Sequence, residues 1–202
     1  MSLESVLARV AMLQGTLQPQ PVPQQSLSFQ GAQFGQALQQ AGATATAAAV
    51  PVSPAGTPAG QAILNAVRNE VGVAEQPPGS NDSPRIAQYR QATVGSGVGP
   101  WCAYFVSWAA RTAGVPLGDG GQGFGRVDDV YAWAQRTGKA IPAGTGAPQP
   151  GDLIVWDEHI GVVESVGADG SIQTIEGNSS DRVSRRSYGS DGGGAIGYVR
   201  LG

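Results

Sequence analysis

Four polar residues in the second half of the chain have the types that nucleophilic catalysis on a carbonyl group needs. Cys102 and His159 are the single cysteine and the single histidine, so the sequence allows no internal disulfide and no histidine-rich metal cluster. A thiol nucleophile needs a base, and an imidazole base needs an acceptor on its second nitrogen. Glu176 and Asn178 are candidate acceptors, because residues two apart in a strand share one face.

Position alone leaves the role of Cys102 open. It follows a loop rich in glycine and begins an apolar helical pattern, and the start of a helix favours a thiolate through unpaired N–H groups and the helix dipole. A lone cysteine on an apolar helix face is nevertheless usually a core residue. A lone histidine beside a hairpin, such as His159, also usually has no catalytic role.

The elements that would hold these residues form a helical half and a strand half. Predicted helices begin after the caps Thr57 and Ser83, run from Cys102 to Ala113, and span about residues 127–137. Predicted strands, with a hairpin turn at residues 168–170, are residues 153–156, 160–166, 171–175, 183–188 and 196–201. Helices followed by an antiparallel sheet predict an α+β domain.

Length and charge limit the classes of function. The chain has 202 residues and a formal net charge of −3, which argues against nucleic-acid binding through a basic surface. No apolar run approaches the roughly 20 residues of a membrane-spanning helix. The charged residues Glu4 and Arg9 interrupt the first apolar stretch, so we expect no Sec-type signal peptide.

The first part of the chain has a different composition from the rest. No charged residue occurs from Val10 to Val67, and the stretch is rich in Gln, Ala, Pro and Gly. We expect residues 1–58 to be largely disordered, with an amphipathic helix over residues 2–14 and a small apolar patch at Phe29, Phe34 and Leu38. Residues 59–202 are the predicted catalytic domain.

Four short motifs, in order, resemble the CHAP domain, a family of cysteine, histidine-dependent amidohydrolases/peptidases. They are GPWCAYFVSW at 99–108, GDLIVW at 151–156, HIGVV at 159–163 and IEGN at 175–178. The resemblance covers about residues 60–202. It implies a papain-like α+β fold, in which N-terminal helices pack on a small antiparallel sheet, and cleavage of amide bonds in bacterial peptidoglycan.

The resemblance also implies roles for the four polar residues. Cys102 would be the nucleophile, His159 the general base, Glu176 the acceptor that orients the imidazole, and Asn178 an assisting residue. The enzyme would be an N-acetylmuramoyl-L-alanine amidase or a peptidoglycan endopeptidase, and the sequence leaves open which of the two. Two other functions also remain open: a non-catalytic module for wall binding or assembly, and an amidase for a small glutathione-type amide.

The residue before the cysteine departs from many CHAP domains, which carry Gln or another polar residue there. Trp101 occupies this position, so no side-chain oxyanion donor is assigned beyond the main-chain N–H of Cys102, and Asn81 is a candidate. Trp101, Tyr104 and Trp156 flank the proposed triad, and we expect them to line a substrate groove, although such aromatic residues are often core.

We expect no metal, because the loop over residues 118–125 lacks the several carboxylates of a calcium site. We also expect no cofactor, because hydrolysis by a thiol and an imidazole requires none. Peptidoglycan is the expected partner, and the cell wall is the expected location. The N-terminal start and the segment FGQAL at 34–38 are similar to wall hydrolases encoded with bacterial flagella. Residues 1–40 are therefore expected to bind an export, flagellar or phage-structure partner, with export by a non-Sec route.

Overall fold

Four helices precede six strands in the computed structural model, which describes residues 56–202. The helices are α1 (Pro58–Arg68), α2 (Pro84–Arg90), α3 (Cys102–Thr112) and α4 (Val127–Arg136). The strands are β1 (Ala140–Pro142), β2 (Leu153–Val155), β3 (Ile160–Val166), β4 (Ile172–Glu176), β5 (Ser184–Tyr188) and β6 (Gly197–Val199). The predicted α+β class is confirmed. The expectations of a helix over residues 2–14, of the apolar patch and of disorder before residue 56 lie outside the described residues.

The first two helices begin where their capping residues predict. The hydroxyl of Thr57 accepts the main-chain N–H of Gly60 at 2.9 Å, and the hydroxyl of Ser83 accepts that of Ile86 at 3.2 Å. A proline follows each cap in the first helical turn, where its missing N–H has no intrahelical partner to lose. Thr57 also donates to the carbonyl of Leu201 at 2.6 Å, so the start of α1 is joined to the end of the chain.

The sheet is antiparallel throughout and has the strand order β1-β6-β2-β3-β4-β5. The five predicted strands are present: the bounds of β3 are as predicted, and those of the other four differ by one or two residues. The short edge strand β1 was not predicted, because three residues ending in Pro142 show no alternation of apolar and polar side chains. Strands β3 and β4 form the predicted hairpin through the turn at residues 167–170.

Helix α3 occupies the centre of the main core. Eight of its 11 residues are buried, and it packs against α1, α2 and β3. The other face of the sheet carries a smaller apolar cluster, formed by Ile154, Val163, Ile172, Ala195 and Tyr198. Because α3 contacts β3 directly, the first residue of the helix and the residues beside the strand are held in fixed relation.

Helix lengths bear on membrane association. In residues 56–202 no helix is long and apolar enough to cross a bilayer, and the longest, α1 and α3, have 11 residues each.

Candidate active site

Cys102 is the first residue of α3, as the sequence predicts. The preceding residue, Trp101, is the N-cap and makes no side-chain capping bond, so the first-turn N–H groups are not capped by a side chain. The thiol-bearing residue is 5% exposed and lies on the wall of a cleft of about 510 Å³. The single thiol therefore sits at the positive end of a helix and beside a cavity large enough for a substrate.

His159 and Glu176 come together from two neighbouring strands. His159 directly precedes β3, and Glu176 is the last residue of β4. The imidazole Nε2 lies 2.9 Å from Oε2 of Glu176, whose side chain is 2% exposed, whereas that of His159 is 30% exposed. Because Nε2 is engaged, Nδ1 is the ring nitrogen left for the thiol of Cys102.

The pKa of His159 reflects contact with both partners. Burial lowers this pKa, but hydrogen bonds to Cys102 and Glu176 and the charges of these groups outweigh burial and raise it to about 9. Burial raises the pKa of Glu176, yet hydrogen bonds from His159 and Thr174 and the charge of His159 bring it below its ordinary value. The geometry and the charges thus join Cys102, His159 and Glu176 in one chain of contacts.

Two hydroxyl groups contact the other oxygen of Glu176, and sequence reasoning missed both. Thr174 Oγ1 donates to Oε1 at 2.6 Å, and the phenol of Tyr188 donates to the same oxygen at 2.9 Å. Thr174 lies two residues before Glu176 on β4, so the alternation of strand faces was a signal that would have found it. Tyr188 lies on β5 and had no short-range signal.

Two of the three aromatic residues expected in a groove lie near the site: Tyr104 lines the cleft, and Trp156 packs beside His159. Tyr104 lines the cleft together with Cys102, and its hydroxyl donates to the carbonyl of Gly97 at 3.1 Å. Trp156 is half-buried and packs beside the imidazole of His159, with ring centroids 5.5 Å apart. It is not among the residues that line the cleft.

Trp101 does not line the groove that the sequence suggested. Its side chain has no exposed surface and packs in the aromatic core with Tyr89 and Phe105. The cause is the helix geometry, which turns the N-cap side chain inward while Cys102 faces the cleft. Asn81, the candidate oxyanion donor, is likewise not among the cleft-lining residues, and its main-chain N–H binds a carboxylate of the core.

Asn178 does not share a strand face with Glu176, contrary to the argument that paired them. Strand β4 ends at Glu176, and Asn178 has a left-handed backbone conformation with φ of 59°. Among the residues that the structure describes, no hydrogen bond joins the side chain of Asn178 to His159. The alternation of faces fails here because the strand ends at Glu176, two residues before Asn178.

The cleft beside Cys102 carries charges of both signs at its rim. Arg126 and Asp128 approach each other at 3.9 Å on one side, and Asp157 and Glu158 line the cleft just before His159. These residues were not predicted as site residues. Over residues 56–202, no group of three or more His, Cys, Asp and Glu side chains is placed to hold a metal ion.

Comparison with known families identifies the segment that carries these residues. The family model described as CHAP domain matches residues 93–178, which include Cys102, His159 and Glu176. No curated protein and no solved structure matches the chain significantly. The family indicates a hydrolase of the amidase/peptidase kind with peptidoglycan as the general substrate, in agreement with a thiol, an imidazole and a carboxylate beside a cleft. The segment that brings Cys102, His159 and Glu176 together thus matches the CHAP domain family, over residues 93–178.

Proposed function

We propose that this protein hydrolyses amide bonds of peptidoglycan with Cys102 as nucleophile, His159 as general base and acid, and Glu176 as the acceptor that orients the imidazole. The contact that carries the proposal is the 2.9 Å approach of His159 Nε2 to Glu176 Oε2. This contact leaves Nδ1 of His159 for the thiol of Cys102, and Cys102 lines the cleft. A module that only binds the wall has no need for these three groups in contact.

In the first half of the reaction, His159 Nδ1 takes the thiol proton, and the thiolate sulfur attacks the carbonyl carbon of the scissile amide. The C–N bond then breaks as imidazolium returns its proton to the leaving nitrogen, which departs as an amine. The product on the enzyme is a thioester between Cys102 and the acyl group. Throughout this step the carboxylate of Glu176 stabilises the positive ring.

In the second half, His159 removes a proton from water, and the resulting hydroxide attacks the thioester carbonyl. The C–S bond breaks, the acid product leaves, and the proton on the imidazole returns to the sulfur. The main-chain N–H of Cys102 is the proposed donor to the oxyanion, because first-turn N–H groups have no intrahelical acceptor. Asn81 is not proposed for this role, since its main chain binds elsewhere and it does not line the cleft.

The proposal is tested by incubating purified peptidoglycan with the protein and identifying the fragments by mass spectrometry. We expect soluble fragments from the native protein and none from Cys102→Ala, with similar melting temperatures for both. Because Cys102 is the only thiol, an alkylating reagent should add one label per chain and stop hydrolysis. Equal fragment release by Cys102→Ala would overturn the nucleophile assignment.

The masses of the fragments also identify the bond and separate the rival functions. Cleavage between muramic acid and L-alanine releases free peptides, as expected for an amidase, whereas cleavage within the peptides leaves stem fragments on the glycan, as expected for an endopeptidase. Binding to peptidoglycan without fragments would favour a non-catalytic wall module. Release of amine from glutathione-type amides, with intact peptidoglycan, would favour a small-molecule amidase.

Action at the cell wall follows from this substrate. Asn178 remains a predicted assisting residue, and its backbone does not extend the strand.

The N-terminal part of the chain is proposed to deliver the domain by binding an export, flagellar or phage-structure partner through residues 1–40. Its support is compositional, since residues 10–55 carry no charge and are rich in Gln, Ala, Pro and Gly.

A further inference from the structure

The carboxylate of Glu176 has a separate set of partners for each oxygen. Oε2 faces the imidazole of His159, and Oε1 accepts the hydroxyl groups of Thr174 at 2.6 Å and Tyr188 at 2.9 Å. Both Glu176 and Thr174 are buried, at 1% and 0% exposure. Water is therefore poorly placed to supply these bonds, and the two hydroxyls hold the oxygen that the imidazole does not use.

A carboxylate at the end of a side chain can rotate, and rotation would take Oε2 away from the imidazole. Two donors converging on Oε1 oppose that rotation, because both hydrogen bonds would be lost with it. We propose that Thr174 and Tyr188 are positioning residues of the active site, which act through Glu176 to keep its Oε2 on His159. The expected effect on catalysis rests on the proposed function. The orientation of the Glu176 carboxylate rests only on the hydrogen bonds described above.

Tyr188 also reaches His159 by a second route, through Trp156. Its ring packs on that of Trp156 with centroids 5.2 Å apart, and Trp156 packs in turn beside the imidazole at 5.5 Å. The indole N–H of Trp156 donates to the carbonyl of Gly192 at 2.9 Å. The next residue, Gly193, lies so near the tyrosine that an added Cβ would be 2.5 Å from its ring. The turn after β5 thus holds both aromatic rings.

The charged and titratable groups around this network come from three elements. Cys102 faces His159 from α3, and Glu176 faces it from the end of β4. Glu176 itself faces His159 and the phenol of Tyr188 on β5, while Arg186 acts on that phenol by charge. Removing the hydroxyl group of Thr174 or of Tyr188 therefore leaves all of these charges in place and changes only how the Glu176 carboxylate is held.

The test uses the full chain and variants that remove only the hydroxyl groups. Tyr188→Phe keeps the ring on Trp156, and Thr174→Val keeps the side-chain volume within β4. Thr174→Ser restores a hydroxyl at the same position and serves as the rescue. Tyr131→Phe is the matched control, because its hydroxyl contacts the carbonyl of Ile196 at 3.3 Å, away from this network.

Two readouts distinguish positioning from a general loss of structure. The first is the split of kcat from KM on peptidoglycan fragments: we expect kcat to fall about tenfold in Tyr188→Phe and in Thr174→Val, with KM changed less than about twofold. The second is the pKa of His159 measured by NMR, which is unambiguous because the chain has one histidine. The native contacts raise this pKa to about 9, and we expect it to fall in both variants as the carboxylate loses its orientation, while the contact with Cys102 continues to raise it.

Thr174→Ser and Tyr131→Phe should keep both kcat and the pKa of His159. Native kcat together with an unshifted pKa in Tyr188→Phe and Thr174→Val would overturn the inference. Lower activity with an unshifted pKa, and no rescue by Thr174→Ser, would also overturn it, because the residues would then be structural only. A native protein that leaves peptidoglycan intact, while both variants shift the pKa, would remove the proposed substrate and support the positioning role.

Discussion

Glu75 accepts a hydrogen bond from the indole Nε1 of Trp101, the residue directly before Cys102, at its Oε1 over 2.9 Å. The second oxygen of the same carboxylate accepts the main-chain N–H of Asn81 at 2.8 Å. Glu75 is 3% exposed and Trp101 is fully buried. A buried carboxylate therefore joins the loop before α2 to the start of α3, the helix that carries the proposed nucleophile.

Glu75→Ala should lower the free energy of unfolding by about 2–4 kcal/mol, because it leaves the buried indole N–H of Trp101 and the half-buried main-chain N–H of Asn81 without their acceptor. Hydrolysis should fall as well, since the start of α3 loses its attachment. Chemical denaturation and peptidoglycan turnover measure the two effects. Asp129→Asn, at an exposed position, is the control and should change stability by less than about 1 kcal/mol. A Glu75→Ala protein with native stability would contradict the anchoring role.

Gly161→Ala should impair catalysis by displacing Glu176, although it removes none of the proposed catalytic groups. An added Cβ at this residue of β3 would lie 2.6 Å from Cγ of Glu176, whose carboxylate is held by three hydrogen bonds and has little freedom to yield. We expect kcat to fall about tenfold or more and stability to fall by about 1–3 kcal/mol. Gly120→Ala, where the nearest atom would be 3.5 Å away, should behave like the native protein.

Glu176→Gln and Asn178→Ala should have effects of different kinds. Glu176→Gln removes the charge beside His159, so turnover should fall by about 100-fold or more while substrate binding changes little. Asn178→Ala should cost about 1 kcal/mol of stability, since alanine tolerates a φ of 59° less well than asparagine. Asn178→Gly should recover that stability. Strong loss of turnover in both Asn178 variants, with little loss in Glu176→Gln, would make Asn178 the orienting residue.

The stability of the native fold should depend on pH through His159. Folding raises the pKa of this group from 6.5 to about 9, so the native state binds its proton more tightly than the unfolded chain does. The stabilising contribution is complete below about pH 6.5 and is lost as the pH rises through about 9. Denaturant unfolding at several pH values should show this decline, and His159→Asn should flatten it. A decline of equal slope in His159→Asn would assign the effect to another group.

Two truncations test where the folded part begins. A chain of residues 56–202 keeps the cap Thr57 and its bond to Leu201, so it should match the melting temperature and the peptidoglycan hydrolysis of the full chain. A chain of residues 59–202 loses that cap and should be less stable by about 1 kcal/mol. If residues 56–202 unfold or lose activity, the N-terminal segment contributes to the catalytic domain, and a purely targeting role is wrong.

The sequence predicted most elements because their signals are local. Capping residues with a following proline marked α1 and α2, and apolar spacing marked α3 and the strands. The contact of His159 with Glu176 was expected from the family resemblance and from the needs of an imidazole base. The short strand β1 escaped because its pairing with β6 is tertiary and leaves no pattern in three residues.

The errors in the site share one cause, which is that tertiary packing decides where a side chain points. The position of Trp101 beside Cys102 predicted a groove residue, but its ring is fully buried in the core. Asn178 was paired with Glu176 by strand alternation, but the strand stops at Glu176. Tyr188 reaches the carboxylate from another strand, a relation that spacing along the chain does not encode.

The division of the proposed catalytic groups between a helix and a sheet couples the proposed activity to the completion of folding. Cys102 begins α3, whereas His159 directly precedes β3 and Glu176 ends β4, more than 50 positions later in the chain. Neither half contains a complete catalytic apparatus, and the two meet only when α3 packs on β3. With the proposed function, an extended or partly folded chain would therefore be inactive, and hydrolysis of the wall would begin only once the chain reaches its final conformation.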